Sequence, residues 1–424
     1  MALLNTAHSH TAANPSISSG AGARAKDVIQ RKMDRFVLLG QSAGVSVSAY
    51  RQRDGARFDV SNGNLSGRKP YFGMELTYPF VIAILLQMVD EGKVALDTPF
   101  VTYLRGQKVC DELHVMDGVD YTDQITLHHL MSHSTGFTDK FMFAPGKDKK
   151  SIVHEFLQGV DSKWSFDDVV MRARSHGALY APGSEQKTSF SDVHFHILGK
   201  IIEDIDGKSF AQSVRDRLAK PLGLGATYVY CDPSDQCPAA LLTKNGVISV
   251  PLIMSSFQSE SGIVTTSQES LVFLRAFFEG YLFNRNHLKG ICDWAMVTPT
   301  FGYGLGMMTV QTSRYATLLS RMDEPWTVMR PHARMVGHWG KNGSFMFWAP
   351  NKKIYVAGTV NKLDHMSLAV DLATRLIAAV DRDEIAPTDP CDRPNADATM
   401  VQVNPNIPQN FNDPTQKASL GVFE

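Results

Sequence analysis

From Tyr78 to Glu91 the chain is apolar on almost every side. Phe80, Val81, Ile82, Ala83, Ile84, Leu85, Leu86, Met88 and Val89 leave no polar stripe, and Gly92 follows in the position that closes a helix. A helix greasy all round has to be enclosed, so this segment predicts a buried central helix. Ahead of it, Asp27 to Leu39 has helical spacing. Gly44 to Tyr50 and Ala56 to Val60 then read as two β runs joined by a turn at Arg53, Asp54 and Gly55. Behind it, from about Asp97 to Tyr230, helical patterns alternate with Gly/Pro/Asp loops. Gly246 to Pro251 and Gly262 to Thr265 bracket a return to the first layer, and a helix follows from Ser267 to Tyr281. Between Tyr303 and Gly358 short β runs recur, with turn signals at Lys341-Asn342-Gly343 and Pro350-Asn351-Lys352-Lys353, and a last helix runs from about Ser367 to Asp381.

Helix and hairpin at the front, strands and helix at the back, and helices between predict an α+β fold. Its antiparallel sheet is flanked by N- and C-terminal helices and carries an inserted, mainly helical subdomain. The expected division is a flexible arm over 1–26, a sheet subdomain built from 27–96 and 246–384, a helical subdomain over 97–245, and a polar tail over 385–424. The arm and tail are poor in large apolar residues, which leaves them without a core to pack on.

Composition narrows the function classes. The 424 residues are 43% apolar and 20% charged with a formal net charge of −1, evenly mixed, so no basic stripe offers itself to nucleic acid. The longest apolar run, Phe80 to Met88, is far shorter than the roughly 20 residues that span a bilayer, so no membrane association is expected. The first 25 residues lack the apolar core of a secretory signal, and a cytoplasmic protein is expected. Five cysteines, Cys110, Cys231, Cys237, Cys292 and Cys391, show no metal spacing and read as reduced thiols, with a local Cys231–Cys237 bridge as the alternative in an oxidising compartment. No metal and no cofactor are expected. His129 and His133 have the i, i+4 spacing of a zinc helix but lack its glutamate, and His194 and His196 diverge on their helix.

Five segments occur in an order that resembles the serine-β-lactamase and penicillin-binding-protein superfamily, in particular its class C-like esterase and transacylase branch. They are Leu85 to Asp97, Ile125 to Phe137, Ala181-Pro182-Gly183 leading to Phe190-Ser191-Asp192, Lys220 to Leu224, and Gly337-His338-Trp339-Gly340. The resemblance spans about Asp27 to Asp381 and implies that superfamily's β-lactamase/transpeptidase-like fold. It also implies a Ser-x-x-Lys pair opening the central helix, a Tyr-x-Asn motif, and a strand motif of the Lys-Thr-Gly or His-x-Gly type whose edge gives a backbone N–H to an oxyanion hole.

Two of the three motifs depart from that pattern. Glu75-Leu76-Thr77-Tyr78 stands in the first slot and Phe190-Ser191-Asp192 in the second, while His338-Trp339-Gly340 keeps the third. Glutamate for serine, tyrosine for lysine and phenylalanine for tyrosine remove the nucleophile and both bases of an acyl-serine route. Glu75, Tyr78, Asp192 and His338 would instead form an acid/base set, with Phe190, Trp339 and Gly340 as substrate-binding residues. The expected activity is that of an isomerase, cyclase, lyase or non-covalent hydrolase of natural-product metabolism. Its substrate would be a small carbonyl compound such as a lactone, ester or polyketide-like intermediate. Two alternatives stay open: a catalytically dead relative that binds a ligand or a protein, and an esterase or transacylase with a displaced serine. Ser184-Glu185-Gln186-Lys187 spells such a pair outside the family's position. The oligomeric state is not readable.

Overall fold

The protein's structure is a computed structural model. It describes residues 44–381 except 66–67, 105, 138–154, 157, 175–177, 185–186, 244, 312–332 and 364–365, together with seven residues between 26 and 34. The expected tail, Cys391 and most of the arm lie outside the described residues.

Eight antiparallel strands form the main sheet, and all come from the two ends of the described chain. These are β1 (Gly44–Arg51), β2 (Ala56–Gly63), β10 (Ala295–Thr298), β11 (Phe301–Tyr303), β12 (Met308–Gln311), β13 (Arg334–Trp339), β14 (Ser344–Ala349) and β15 (Ile354–Thr359), in the order β10-β11-β12-β13-β14-β15-β1-β2. Strand period decides which side chain faces which layer. Phe345, Phe347 and Ala349 of β14 and Ile354 and Val356 of β15 join Val45, Val47, Leu372, Leu376 and Ile377 in one core, against the C-terminal helix Met366–Asp381. Met346, Tyr355 and Ala357 face the opposite layer, where the central helix Thr77–Asp90 and the helix Ser267–Glu279 pack. Ile29 and Met33 of the first predicted helix are buried in the C-terminal-helix core.

The central helix is enclosed as its composition predicts: every residue from Thr77 to Leu86 is buried. Between the two halves of the sheet lie mainly helical elements, Leu127–Met131, Phe166–Arg174, Val193–Asp206 and Phe210–Val214. One expectation is corrected. The segments expected to return to the first layer do not join the main sheet. Gly246–Ile248 (β8) pairs with Leu241–Thr243 (β7), and Ile263–Thr265 (β9) sits between Tyr71–Phe72 (β3) and Tyr228–Val229 (β6). A remaining hairpin joins Val115–Met116 (β4) and Val119–Asp120 (β5).

Candidate active site

The site forms where three elements converge: the start of the central helix, the start of the helix Val193–Asp206, and the turn between β13 and β14. Glu75 lies in a single 3-10 turn, Met74–Leu76, that feeds the central helix, and Tyr78 is in that helix's first turn. Asp192 precedes the other helix, but its side chain makes no capping hydrogen bond and turns inward. The β13–β14 turn is clamped beside them because Asn342 Nδ2 donates to the Phe72 carbonyl at 2.6 Å and Ser344 Oγ to the Gly73 carbonyl at 2.7 Å. Gly340 is required there. A Cβ would come within 2.4 Å of Ser344 Oγ and 2.7 Å of the Gly73 carbonyl.

The turn delivers a residue that sequence reasoning missed. Lys341 places its ammonium 2.8 Å from Glu75 Oε1 and 2.8 Å from Asp192 Oδ2. Its backbone N–H donates to Glu75 Oε2 at 2.8 Å, and the Tyr78 hydroxyl donates to Asp192 Oδ1. Tyr78 stands in the slot where the resemblance implies a lysine, and an ammonium reaches Glu75 and Asp192 from the β13–β14 turn instead. The central helix has no side-chain cap. Glu260, the second missed residue, completes the cluster. Its nearest carboxylate oxygen and those of Glu75 and Asp192 all lie within 4.8 Å of one another. These three are the described residues that could hold a cation, and Lys341 already supplies positive charge to two of them.

Electrostatics sort the groups. Burial pushes the Asp192 carboxyl up, but the Lys341 ammonium and hydrogen bonds from Lys341 and Tyr78 outweigh it and hold the group below the usual range. Burial disfavours charge on Lys341, yet the Asp192, Glu75 and Glu260 carboxyls raise it well above its ordinary value. Glu260 is raised well above its ordinary value by burial and by the Asp192 carboxylate. Tyr78 is raised by burial and by the same carboxylates and stays a phenol.

His338 lies on β13 with its ring edge-on to Tyr78, centroids 5.1 Å apart. Burial lowers it to about 4. His133 is likewise lowered to about 3 and His196 to about 4. The sign follows from linkage: between pH 6.5 and 4 the unfolded chain binds more protons than the fold, so acid removes stability. Going from an unfolded value of about 6.5 to about 4, His338 alone subtracts roughly 3 kcal/mol by pH 4. Thermal melts should therefore show Tm falling steadily below pH 6.5. A Tm constant from 6.5 to 5 would contradict this.

The predicted wall residues meet through a third ring. Phe190, 38% exposed, lies 6.0 Å from Phe301, which lies 5.4 Å from Trp339; Tyr303 stands edge-on to Phe190 at 5.0 Å. Together they make an aromatic row beside the ion cluster. Tyr78 is packed differently, stacked on Phe195 at 3.5 Å and 2% exposed. The edge N–H groups of the strand motif are occupied, Gly340 by the Ser344 carbonyl and Lys341 by Glu75. The alternative serine, Ser184, donates to the Ala181 carbonyl, and Lys187 lies over the Tyr180 ring. His194 and His196 are buried. Cys231 and Cys237 are free thiols.

An antiparallel sheet between helical layers, with its site at the start of a buried helix and the edge of an inner strand, defines the β-lactamase/transpeptidase-like class. The Beta-lactamase family model matches residues 76–381, and the chain belongs to that family. Esterase EstB of Burkholderia gladioli is 27% identical over 188 residues, 42% of this chain and 44% of the relative. Unguisins hydrolase ungD' of Aspergillus campestris is 25% identical over 211 residues, 48% of this chain and 35% of the relative. The chain thus aligns with less than half the length of these curated relatives. Among solved structures, a D-stereospecific amidohydrolase from Streptomyces sp. superposes with a TM-score of 0.65 at 22% identity, covering 82% of this chain and 97% of the other. The D-amino acid amidase of Ochrobactrum anthropi SV3 gives 0.66 at 18%, covering 85% and 99%. At these identities the structural likeness establishes the fold. Among the described residues no helix is long and apolar enough to cross a membrane.

Proposed function

We propose that this is a β-lactamase-family enzyme that works by acid/base chemistry without a serine nucleophile, on a small carbonyl compound. One observation carries the reading: Lys341 is held between Glu75 and Asp192 at the start of the central helix, where the family resemblance implies a serine and a lysine. A charged, partly dehydrated cluster is the kind of arrangement that stabilises developing charge on a substrate. Glu75 is assigned as the group that takes or holds a proton. Lys341 bridges it to Asp192, which accepts the Tyr78 hydroxyl. His338 presents an imidazole that is neutral at pH 7. The aromatic row of Phe190, Phe301 and Trp339 would seat the apolar body of the substrate. The reaction class is isomerisation, cyclisation, elimination or non-covalent hydrolysis.

A second reading, a ligand-binding relative without catalysis, is favoured by the occupied N–H groups of Gly340 and Lys341. Turnover separates the two. Screening lactones, esters and amides for rearrangement and water addition as well as cleavage should reveal a substrate, and Tyr78→Phe should slow its turnover tenfold or more. Binding of such compounds with no turnover in any case would select the second reading.

A further inference from the structure

Glu260 is a buried carboxyl to which the chemistry above gives no part, and the backbone holds it in place. It lies between the helix Pro251–Phe257 and β9. Its N–H donates to the Phe257 carbonyl and the Gly262 N–H to the Gln258 carbonyl, both at 2.8 Å. Gln258 takes φ +38°, a strained backbone that persists only where the surroundings over-determine it. Just beyond, the Ile263 N–H donates to Thr77 Oγ1 at 3.1 Å, and the Ile263 carbonyl accepts the Gly73 N–H at 2.7 Å. This turn is therefore fastened to the start of the central helix on both sides of Glu75.

Ser261 Oγ donates to Glu260 Oε1 at 2.6 Å, whereas Oε2 is enclosed and has no hydrogen-bond partner among the described residues. One oxygen of Glu75 is in a similar position: Oε1 lies 2.8 Å from the Lys341 ammonium as an ion pair but takes part in no hydrogen bond. The groups facing Glu260 are Glu75 and Tyr78 at the start of the central helix, Asp192 before the helix Val193–Asp206, and Lys341 in the β13–β14 turn. Glu75, Asp192 and Glu260 each bring an oxygen within 4.8 Å of the other two. If all three were ionised they would outnumber the ammonium by two in a buried space. Desolvation and like-charge repulsion both resist that, and a proton on one carboxyl relieves both. Placed on Glu260 Oε2, it also turns an orphan acceptor into a donor, beside a Glu75 oxygen that lacks one. The upward shift of Glu260 agrees in direction.

We propose that Glu260 is a positioning residue for Glu75: it keeps its proton at pH 7 and turns it toward Glu75 Oε1, so that the site holds a neutral acid beside its base. This rests on the acid/base reading and gives Glu75 a partner. Two carboxyls with one proton between them titrate as a pair, and the proton never leaves the protein, so no co-reactant is needed.

Glu260→Gln copies the neutral acid in shape and in hydrogen-bonding capacity but cannot titrate. Urea unfolding of the full chain and of this variant, in a buffer with EDTA to remove metal ions as a source of balancing charge, reads the difference. A raised carboxyl keeps its proton in the fold after the unfolded chain loses it near about 4.3, so its contribution is full below that value and is lost as pH rises. The folding constant of the parent relative to the variant should fall about tenfold per pH unit between about pH 5.5 and 7.5. Infrared spectra at pH 7 should show the carbonyl band of a neutral carboxylic acid, missing in Glu260→Gln and shifted in Glu75→Gln. A ratio constant with pH, no such band, or a band unmoved in Glu75→Gln would overturn the proposal. If Glu260→Gln does not fold, the band of the parent chain and its response to Glu75→Gln decide alone. Neither readout needs a substrate, so the acid/base reading is judged apart from them. Turnover with a constant ratio removes only the proton pair, and the expected ratio and band without turnover of any compound remove only the catalytic reading.

Discussion

Glu75→Gln is expected to abolish turnover, by at least about 100-fold, while leaving the fold intact. The replacement is nearly isosteric. Its amide oxygen can still accept the Lys341 backbone N–H that Glu75 Oε2 accepts at 2.8 Å. What disappears is the negative charge opposite the Lys341 ammonium and the capacity to take a proton. Asp192 still pairs with Lys341, so the cation keeps a counterion and the helix start keeps its packing. Steady-state kinetics beside circular dichroism and a thermal melt would measure both halves. Full activity in a folded variant would remove Glu75 as the reacting group.

Lys341→Met carries the largest expected effect on stability. It removes the ammonium from two buried carboxylates, and breaking a buried pair from one side costs about 3–5 kcal/mol. About a fifth of the Lys341 side chain stays exposed, which places the expectation near the lower figure, about 3 kcal/mol at pH 7. The pH dependence has a definite sign. Asp192 is held below its ordinary range, so its contribution is present above an unfolded value of about 3.9 and is lost as pH falls through the lower folded value. Lys341 is raised, so its contribution is present below about 10.4 and is lost as pH rises through the folded value. The cost of Lys341→Met should therefore be largest near pH 7 and shrink as pH falls, because the stranded Asp192 carboxyl, which burial pushes up once the ammonium is gone, takes up a proton. Urea unfolding of both proteins at pH 7 and at low pH reads the difference. An equal cost at both would mean that the lysine acts through packing alone.

The parts of this fold that sequence shows are those where burial leaves a periodic trace. The central helix is apolar on every face because it is enclosed on every face. The alternation in β14 and β15 sorts Phe345 and Phe347 from Met346 as it sorts Ile354 and Val356 from Tyr355 and Ala357. Short runs carry no address. Ile263–Thr265 reads as β, but nothing in three residues says that its partners are Tyr71–Phe72 and Tyr228–Val229 rather than the main sheet.

The site divides along the same line. The slots of Glu75, Tyr78, Asp192 and His338 were legible because each adjoins a long element or a family motif, and hydrogen bonds, ion pairs and ring contacts bring all four round one cluster. Lys341 was passed over because Lys341-Asn342-Gly343 reads as ordinary turn chemistry; the signal was its place directly after Trp339-Gly340. Glu260 and Tyr303 carry no local pattern at all, since only tertiary packing brings them to Asp192. His133 shows only a zinc-helix spacing in the sequence, while its ring partners in the fold, Ser191 and His194, lie about sixty residues away.

The most direct test of the central claim, an acid/base site without a serine nucleophile, is the intact mass of the purified protein after incubation with a fluorophosphonate. The account predicts an unchanged mass even after long exposure, because Glu75 offers no activated hydroxyl where the family resemblance implies one. A stoichiometric phosphonyl adduct would contradict it, and peptide mapping to Ser184 or another serine would make the protein a serine esterase with a displaced nucleophile.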